Sequence, residues 1–210
     1  MGREVHPSNR HLRLFSMMAM AIILMGLAIM ALLLIPGALG GTIVGDQPPA
    51  TGDWVINQDT TVTGSVVTVK GNVIVNGNLT LWSSSVLIEG AADGSIGINV
   101  TPGGRLSAND SNIVSSNGRP YYFRVYDEMD LKRVTIRNVH EGILVSTSET
   151  VSFDRVQILD FGGLGLVLEG ASGTTVKDVT FQADDYSTYK DVSLNTNMGR
   201  PRAEWRYDHP

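Results

Sequence analysis

The sequence predicts an all-β chain in which short parallel strands wind into a solenoid behind an N-terminal apolar helix. Three observations predict it: an uncharged apolar run over residues 14–35, six-residue repeats over residues 67–84, and a longer repeat with offsets of 22 and 23 residues in the second half. Fixed-period repetition marks architectures in which each unit packs only on its neighbours.

Composition narrows the reading. The 210 residues suffice for one ordinary domain and an appendage. Many glycines and few aromatics suit short strands and tight turns better than a helical bundle. The absence of cysteine excludes disulfides and thiolate metal sites. A net charge of −5 argues against nucleic acid as a partner, because phosphate binding wants a basic face. The charge is unevenly placed: Arg3, Arg10 and Arg13 oppose only Glu4 before residue 41, and the remainder is acidic.

The first element is the run from Leu14 to Ile35, LFSMMAMAIILMGLAIMALLLI. At about 1.5 Å of rise per residue, a helix of this length crosses a hydrocarbon core of roughly 30 Å. In lipid only a helix satisfies its own backbone, and Pro36 and Gly37 end it. Basic residues 1–13 place the N-terminal flank in the cytoplasm, with everything after residue 40 outside. The segment over residues 14–36 is therefore a transmembrane helix or a signal helix. Ala38-Leu39-Gly40 is a small-x-small triplet of the kind signal peptidases accept, but the apolar run exceeds the usual signal core of about 7–15 residues. The localisation that follows is the cell membrane with the solenoid outside, or secretion if the chain is cleaved near Gly40. Residues 37–52, rich in Gly and Pro, read as a flexible linker.

The repetitive body is expected over residues 53–195. Val67 to Ser84 divides into VTVKGN, VIVNGN and LTLWSS, with apolar residues at the first and third place of each hexad. Positions i and i+2 of a strand share a face, so each hexad is a short strand with one buried face. Gly71 and Gly77 sit in the connections, where positive φ would turn a corner. Hairpin strands are usually longer, so the tiny strands fit a chain winding about an axis. Further on, Leu131-Lys-Arg-Val-Thr-Ile136 matches Phe153-Asp-Arg-Val-Gln-Ile158 and Val176-Lys-Asp-Val-Thr-Phe181, apolar at the first, fourth and sixth places. Gly142-Ile-Leu-Val145 and Gly165-Leu-Val-Leu168 follow two of them. One coil thus reads as about 22 residues: a strand, a corner, a Gly-led strand and a loop. Stacked coils would place Val134 on Val156 on Val179, and Ile136 on Ile158 on Phe181, with polar Thr135, Gln157 and Thr180 outward.

After Phe181 the apolar pattern thins. Val192 and Leu194 can start one more coil, and residues 196–210 read as an irregular tail. A solenoid normally ends in a cap. None is apparent in the sequence, so the chain reads as a fragment or truncated product; the alternative is a tail that plugs the open end with Trp205 and Tyr207.

The GNVIVNGNLTL run, Ser95 to Val114, and the coils LKRVTIRNVHEGILVS and FDRVQILDFGGLGLVLEG resemble the right-handed parallel β-helix, or pectin lyase-like, superfamily. The nearest flavour is the NosD-like and other prokaryotic, archaeal or bacterial, cell-surface β-helix repeat proteins. The resemblance covers roughly residues 53 to 185. A left-handed helix would need the hexad kept throughout, and it is lost after residue 90. The superfamily hosts lyases, hydrolases, adhesins and scaffolds, so the resemblance implies architecture more than function.

Its hydrolases use clustered aspartates with a Gly-His-Gly and an Arg-x-Lys, because inverting hydrolysis needs one protonated and one ionised carboxylate. Asp184-Asp185 is the only paired aspartate here; Asn195-Thr196-Asn197 falls after it, and neither companion motif follows. Its lyases need a base beside calcium-binding acids. Arg133 and Arg155 occupy equivalent places in successive coils with Asp178 next, which reads most simply as an exposed charge column. His140, beside Glu141 at a corner, could act as a base near neutral pH, though a lone turn histidine is usually just exposed. Gly162-Gly163-Leu164-Gly165 begins like a calcium-binding nonapeptide but has Val167 where that motif needs aspartate. No metal or cofactor is implied; calcium enters only under the enzymatic alternative. Asn78, Asn99 and Asn109 are candidate glycosylation sequons.

The sequence therefore points to a non-catalytic cell-surface protein: a structural scaffold, an adhesin or a carbohydrate-binding module. Its partners would be the membrane through residues 14–36 and surface glycans or other envelope proteins. The alternative is a polysaccharide lyase or glycoside hydrolase acting on acidic glycans. A NosD-type role in metal maturation finds no Met, His or Cys cluster outside the apolar segment to support it.

Overall fold

The computed structural model describes residues 40–183, which form a parallel β-solenoid of six coils. The apolar segment 14–36, Asp184, Asp185, Val192, Leu194, Asn195 to Asn197, Trp205, Tyr207 and the tail 196–210 lie outside the described residues. Among the described residues no helix is long and apolar enough to cross a membrane.

Each coil contributes one strand to each of three sheets. The first sheet stacks Trp54–Ile56, Val73–Val75, Gly97–Val100, Tyr121–Val125, Val139–Val145 and Leu166–Leu168. The second stacks Thr60–Thr63, Asn78–Trp82, Arg105–Asn109, Glu128–Lys132, Val151–Asp154 and Thr174–Lys177. The third stacks Val66–Val69, Ser85–Ile88, Asn112–Ser115, Thr135–Arg137, Gln157–Phe161 and Thr180–Ala183. All these pairings are parallel. One further strand, Thr42–Val44, runs antiparallel along Thr60–Thr63 and closes the upstream edge of the second sheet. It lies within the stretch whose composition suggests a linker. Asp46 fixes this end: its carbonyl accepts from Trp54 Nε1 at 2.9 Å, and its carboxylate accepts from the Asn57 amide at 2.7 Å.

Strand alternation puts one face of every strand inside the tube. Columns such as Trp54, Val73, Ile98, Phe123, Ile143 and Leu166 are buried throughout. Ile113, Ile136 and Ile158 stack in register and are followed by Phe181, as the repeat predicts. Thr135, Gln157 and Thr180 form the outward polar column. Burying each such Val, Leu or Ile contributes about 1.5–3 kcal/mol, so the ladders supply the driving force for winding.

The hexads VTVKGN, VIVNGN and LTLWSS are three consecutive faces of the tube, one on each sheet, wound about the axis as the sequence predicts. One expectation about the longer repeat changes. The motif with apolar first, fourth and sixth places is two strands, because its three-residue step straddles a corner between the second and third sheets. The third residue of the motif turns that corner in the left-handed region: Arg133 (φ 53°), Arg155 (57°) and Asp178 (51°). Ser83 and Asp110 do the same in earlier coils, and glycine takes the position only in the first, at Gly64. Every such residue down to Arg155 donates its backbone N–H to the coil below, as from Arg133 to the Asp154 carbonyl at 2.9 Å. The next position carries Ser65, Ser84 and Ser111 in the first three coils, where the Ser84 amide donates to Ser111 Oγ at 3.1 Å, and buried valines in the last three.

Gly71 and Gly77 do not adopt positive φ. They are glycine because adjacent coils approach too closely for a side chain. A Cβ on Gly71 would overlap the backbone of Gly52, and one on Gly77 would meet the Asn57 carbonyl carbon at 2.9 Å.

Candidate functional site

The outward face of the second sheet carries two columns of side chains, because alternate residues of each strand point to solvent. Thr80, Ser107 and Asp130 stand in register in one column; Trp82, Asn109 and Lys132 stand in the other. Together with Arg133 at the corner they line an open cavity of about 270 Å³. Trp82 is 48% exposed, unusual for the largest apolar side chain.

The corner wall is fixed by charge. Both Nε and Nη2 of Arg133 donate to the Asp110 carboxylate, the Nη2–Oδ2 distance being 2.6 Å. The same Nη2 donates to Asn109 Oδ1 at 2.8 Å, while Asn109 Nδ2 donates to Asp110 Oδ2 at 3.1 Å. The hydrogen bond from Arg133 holds the Asp110 carboxyl below the usual aspartate range, and the same bond raises the Arg133 pKa. A base must give up its own proton; Arg133 holds its proton more firmly than a free arginine does. Arg155, stacked one coil below, pairs with Asp154 at 3.1 Å. Asp178 follows at the next corner.

His140 is exposed and lies on the first sheet, within the strand Val139–Val145. There the register jumps from Tyr121↔Val139 to Phe123↔Ile143, so the strand bulges at His140, whose ring lies against Gly94. The histidine and the arginine corner thus belong to different sheets. Among the described residues no group of three or more His, Asp or Glu side chains is arranged to hold a metal ion.

The three sequons differ in surroundings. Asn78 is exposed and its amide donates to Asp59 Oδ1 at 2.6 Å. Asn99 is half-buried, with Oδ1 enclosed and lacking a hydrogen-bond partner. Asn109 is tied on both sides of its amide by the corner network.

Sequence reasoning missed Trp82, Asp130 and Lys132, and Asp110 as the partner of Arg133. One signal was present: Trp82 occupies the fourth place of its hexad, where the other two hexads carry the polar residues Lys70 and Asn76. No protein-family model matches the chain, and neither the comparison with curated proteins nor that with solved structures gives a match.

Proposed function

We propose that this is a non-catalytic cell-surface protein, exported or membrane-anchored through residues 14–36, whose solenoid serves as a rigid scaffold, adhesin or carbohydrate-binding module. Kinship with the right-handed, pectin lyase-like and NosD-like β-helix proteins is part of the same reading. The observation that carries it is the regular outward display of hydroxyl, amide and carboxylate groups, as in Thr80–Ser107–Asp130 and Thr135–Gln157–Thr180, one coil apart. Strands stack about 4.8 Å apart, so such columns offer hydrogen-bonding groups at a constant pitch to a repetitive glycan. Direct recognition of this kind needs no reacting residue. The arginines are committed to Asp110 and Asp154, which suits a charged structural corner better than a catalytic base.

The test applies the full chain, in detergent micelles, to a glycan array and to a cleavage assay on polyuronates and neutral glycans, with and without calcium. Retention of glycans without new unsaturated or reducing ends is the expected result. New ends would overturn the non-catalytic reading. The absence of cysteine also makes topology testable: a single Ser148→Cys substitution, at an exposed position, should react with a membrane-impermeant maleimide on intact cells. Labelling only after permeabilisation would overturn the external placement.

A further inference from the structure

We propose that the cavity on the second sheet binds one neutral pyranose ring, stacked on the indole of Trp82 and held through its hydroxyls by Asp130. The inference rests on the carbohydrate-binding reading above and adds a site and a ligand class to it. The argument starts from which polar groups are already committed. Arg133, Asp110 and Asn109 satisfy one another, and Arg105 pairs with Glu128 at 3.1 Å. Asn109 and Arg133 thus line the cavity with these hydrogen bonds already made. The floor is different: Thr80, Ser107, Asp130 and Lys132 make no side-chain hydrogen bond or salt bridge among the described residues, so their bonding positions are left to solvent waters. A ligand that displaces those waters gains only if it reproduces their hydrogen bonds.

A pyranose meets both demands of such a floor. Its axial C–H groups form an apolar face that covers a half-exposed indole, and its rim of hydroxyls can both donate and accept. Asp130, acceptor-only when ionised, takes two neighbouring hydroxyl protons; Lys132 donates to a ring or hydroxyl oxygen; Ser107 and Thr80 do either. The volume, about 270 Å³, falls below the span of roughly 300–1,000 Å³ for drug-sized pockets, which suits one ring more than an oligosaccharide. The charges of Asp130 and Lys132 cancel, and Arg133 is neutralised by Asp110, so the site carries no net charge to recruit an acidic sugar. Affinity for one ring would be weak, and a polymer presenting many rings to many copies would gain by avidity.

The experiment is NMR on the full chain, labelled with 15N-tryptophan, in detergent micelles. Three indole N–H signals are expected, one for each tryptophan. Trp54, fully buried with its Nε1 bonded to the Asp46 carbonyl, is the internal reference for folding. Titration with methyl glucoside, methyl galactoside and N-acetylglucosamine should move the Trp82 signal saturably for at least one sugar and leave that of Trp54 in place. Asp130→Asn should weaken binding at the Trp82 signal by roughly tenfold, and Trp82→Ala, which lacks that signal, should lose retention on the glycan array, with the Trp54 signal unchanged in both. Saturable binding that neither substitution alters would overturn the site. Binding confined to methyl glucuronide would overturn the neutral class. A full chain that is retained by glycans on the array but shows no response at Trp82 would overturn the site and leave the broader reading standing. An empty array would remove both.

Discussion

The hydroxyl of Tyr122 donates to Oδ1 of Asn72 at 2.7 Å, joining residues fifty positions apart in the chain. Because Asn72 precedes the second coil and Tyr122 belongs to the fourth, the ring lies along the tube axis across two coil spacings, about 9–10 Å. The same Oδ1 accepts the Gly97 amide at 3.1 Å from the third coil, and Nδ2 of Asn72 donates to Asp53 Oδ1 at 3.0 Å ahead of the first. One side chain thus bonds four successive coils together. The guanidinium of Arg124 lies over the Tyr122 ring, 4.7 Å from its centre, at the range of a cation–π contact.

Asn72→Ala should therefore cost about 1–3 kcal/mol, since it strands several partly buried groups at once. Tyr122→Phe removes one hydrogen bond and should cost about 0.5–1.5 kcal/mol. Urea denaturation of both variants tests the order; equal losses would mean that the tyrosine bond carries the whole effect.

The left-handed corner predicts an unusual tolerance. Arg155 occupies αL at a cost of about 1–2 kcal/mol relative to ordinary backbone, and its exposed pair with Asp154 stabilises little. Arg155→Gly should be close to neutral, because relief of that cost offsets glycine's larger unfolded-state entropy. Arg155→Ile, β-branched in the same conformation, should be destabilised by about 1–3 kcal/mol. Thermal melts of the pair check it; an isoleucine variant as stable as wild type would refute the corner geometry.

Acid should loosen the upstream end and the corner first. The Asn57 amide, with Gln58, holds the Asp46 carboxyl below its ordinary value of 3.8, and Arg133 does the same to Asp110. With the folded pKa lower than the unfolded one, the unfolded chain binds protons more readily. The stabilisation is full above about 3.8 and is lost as pH falls through the folded values. Melting temperatures followed from about pH 6 to pH 2 should drop in that range, and the double substitution Asp46→Asn with Asp110→Asn should shrink the drop. An unchanged acid limb would mean that other carboxylates dominate it.

In the core, Ile136 stacks between Ile113 and Ile158 and is fully enclosed. Ile136→Ala should cost about 2–5 kcal/mol, the removed methyl groups plus the cavity they leave. Thr135→Ala, its outward neighbour, should change stability by less than about 0.5 kcal/mol. Similar effects at the two positions would contradict the inward and outward assignment.

These contrasts also mark what the sequence made legible. The last three coils were readable because their lengths barely vary: Ile136, Ile158 and Phe181 pair in register at steps of 22 and 23 residues. The third coil broke the period, since Val86 pairs with Ile113 only after the excursion between Ile88 and Gly97 lengthens the step to 27. The hexads were legible as successive strands wound about an axis, and three of them make nearly the 19-residue step from Val67 to Val86. Glycines at corners were anticipated for the wrong reason, close approach and positive φ being indistinguishable in a string of letters. The cavity at Trp82 gathers side chains from three coils, and the staple at Asn72 from four. Such neighbourhoods exist only once the pitch of the winding is known.

The backward-running strand Thr42–Val44 gives the tube a direction of growth. Any further parallel strand laid against the first coil of the second sheet would meet an edge already occupied by a strand of opposite sense. Coils can be duplicated or lost downstream without disturbing that closure, because each repeats the hydrogen bonding of the one before. The upstream boundary behaves as a fixed origin, and length is a variable counted from it.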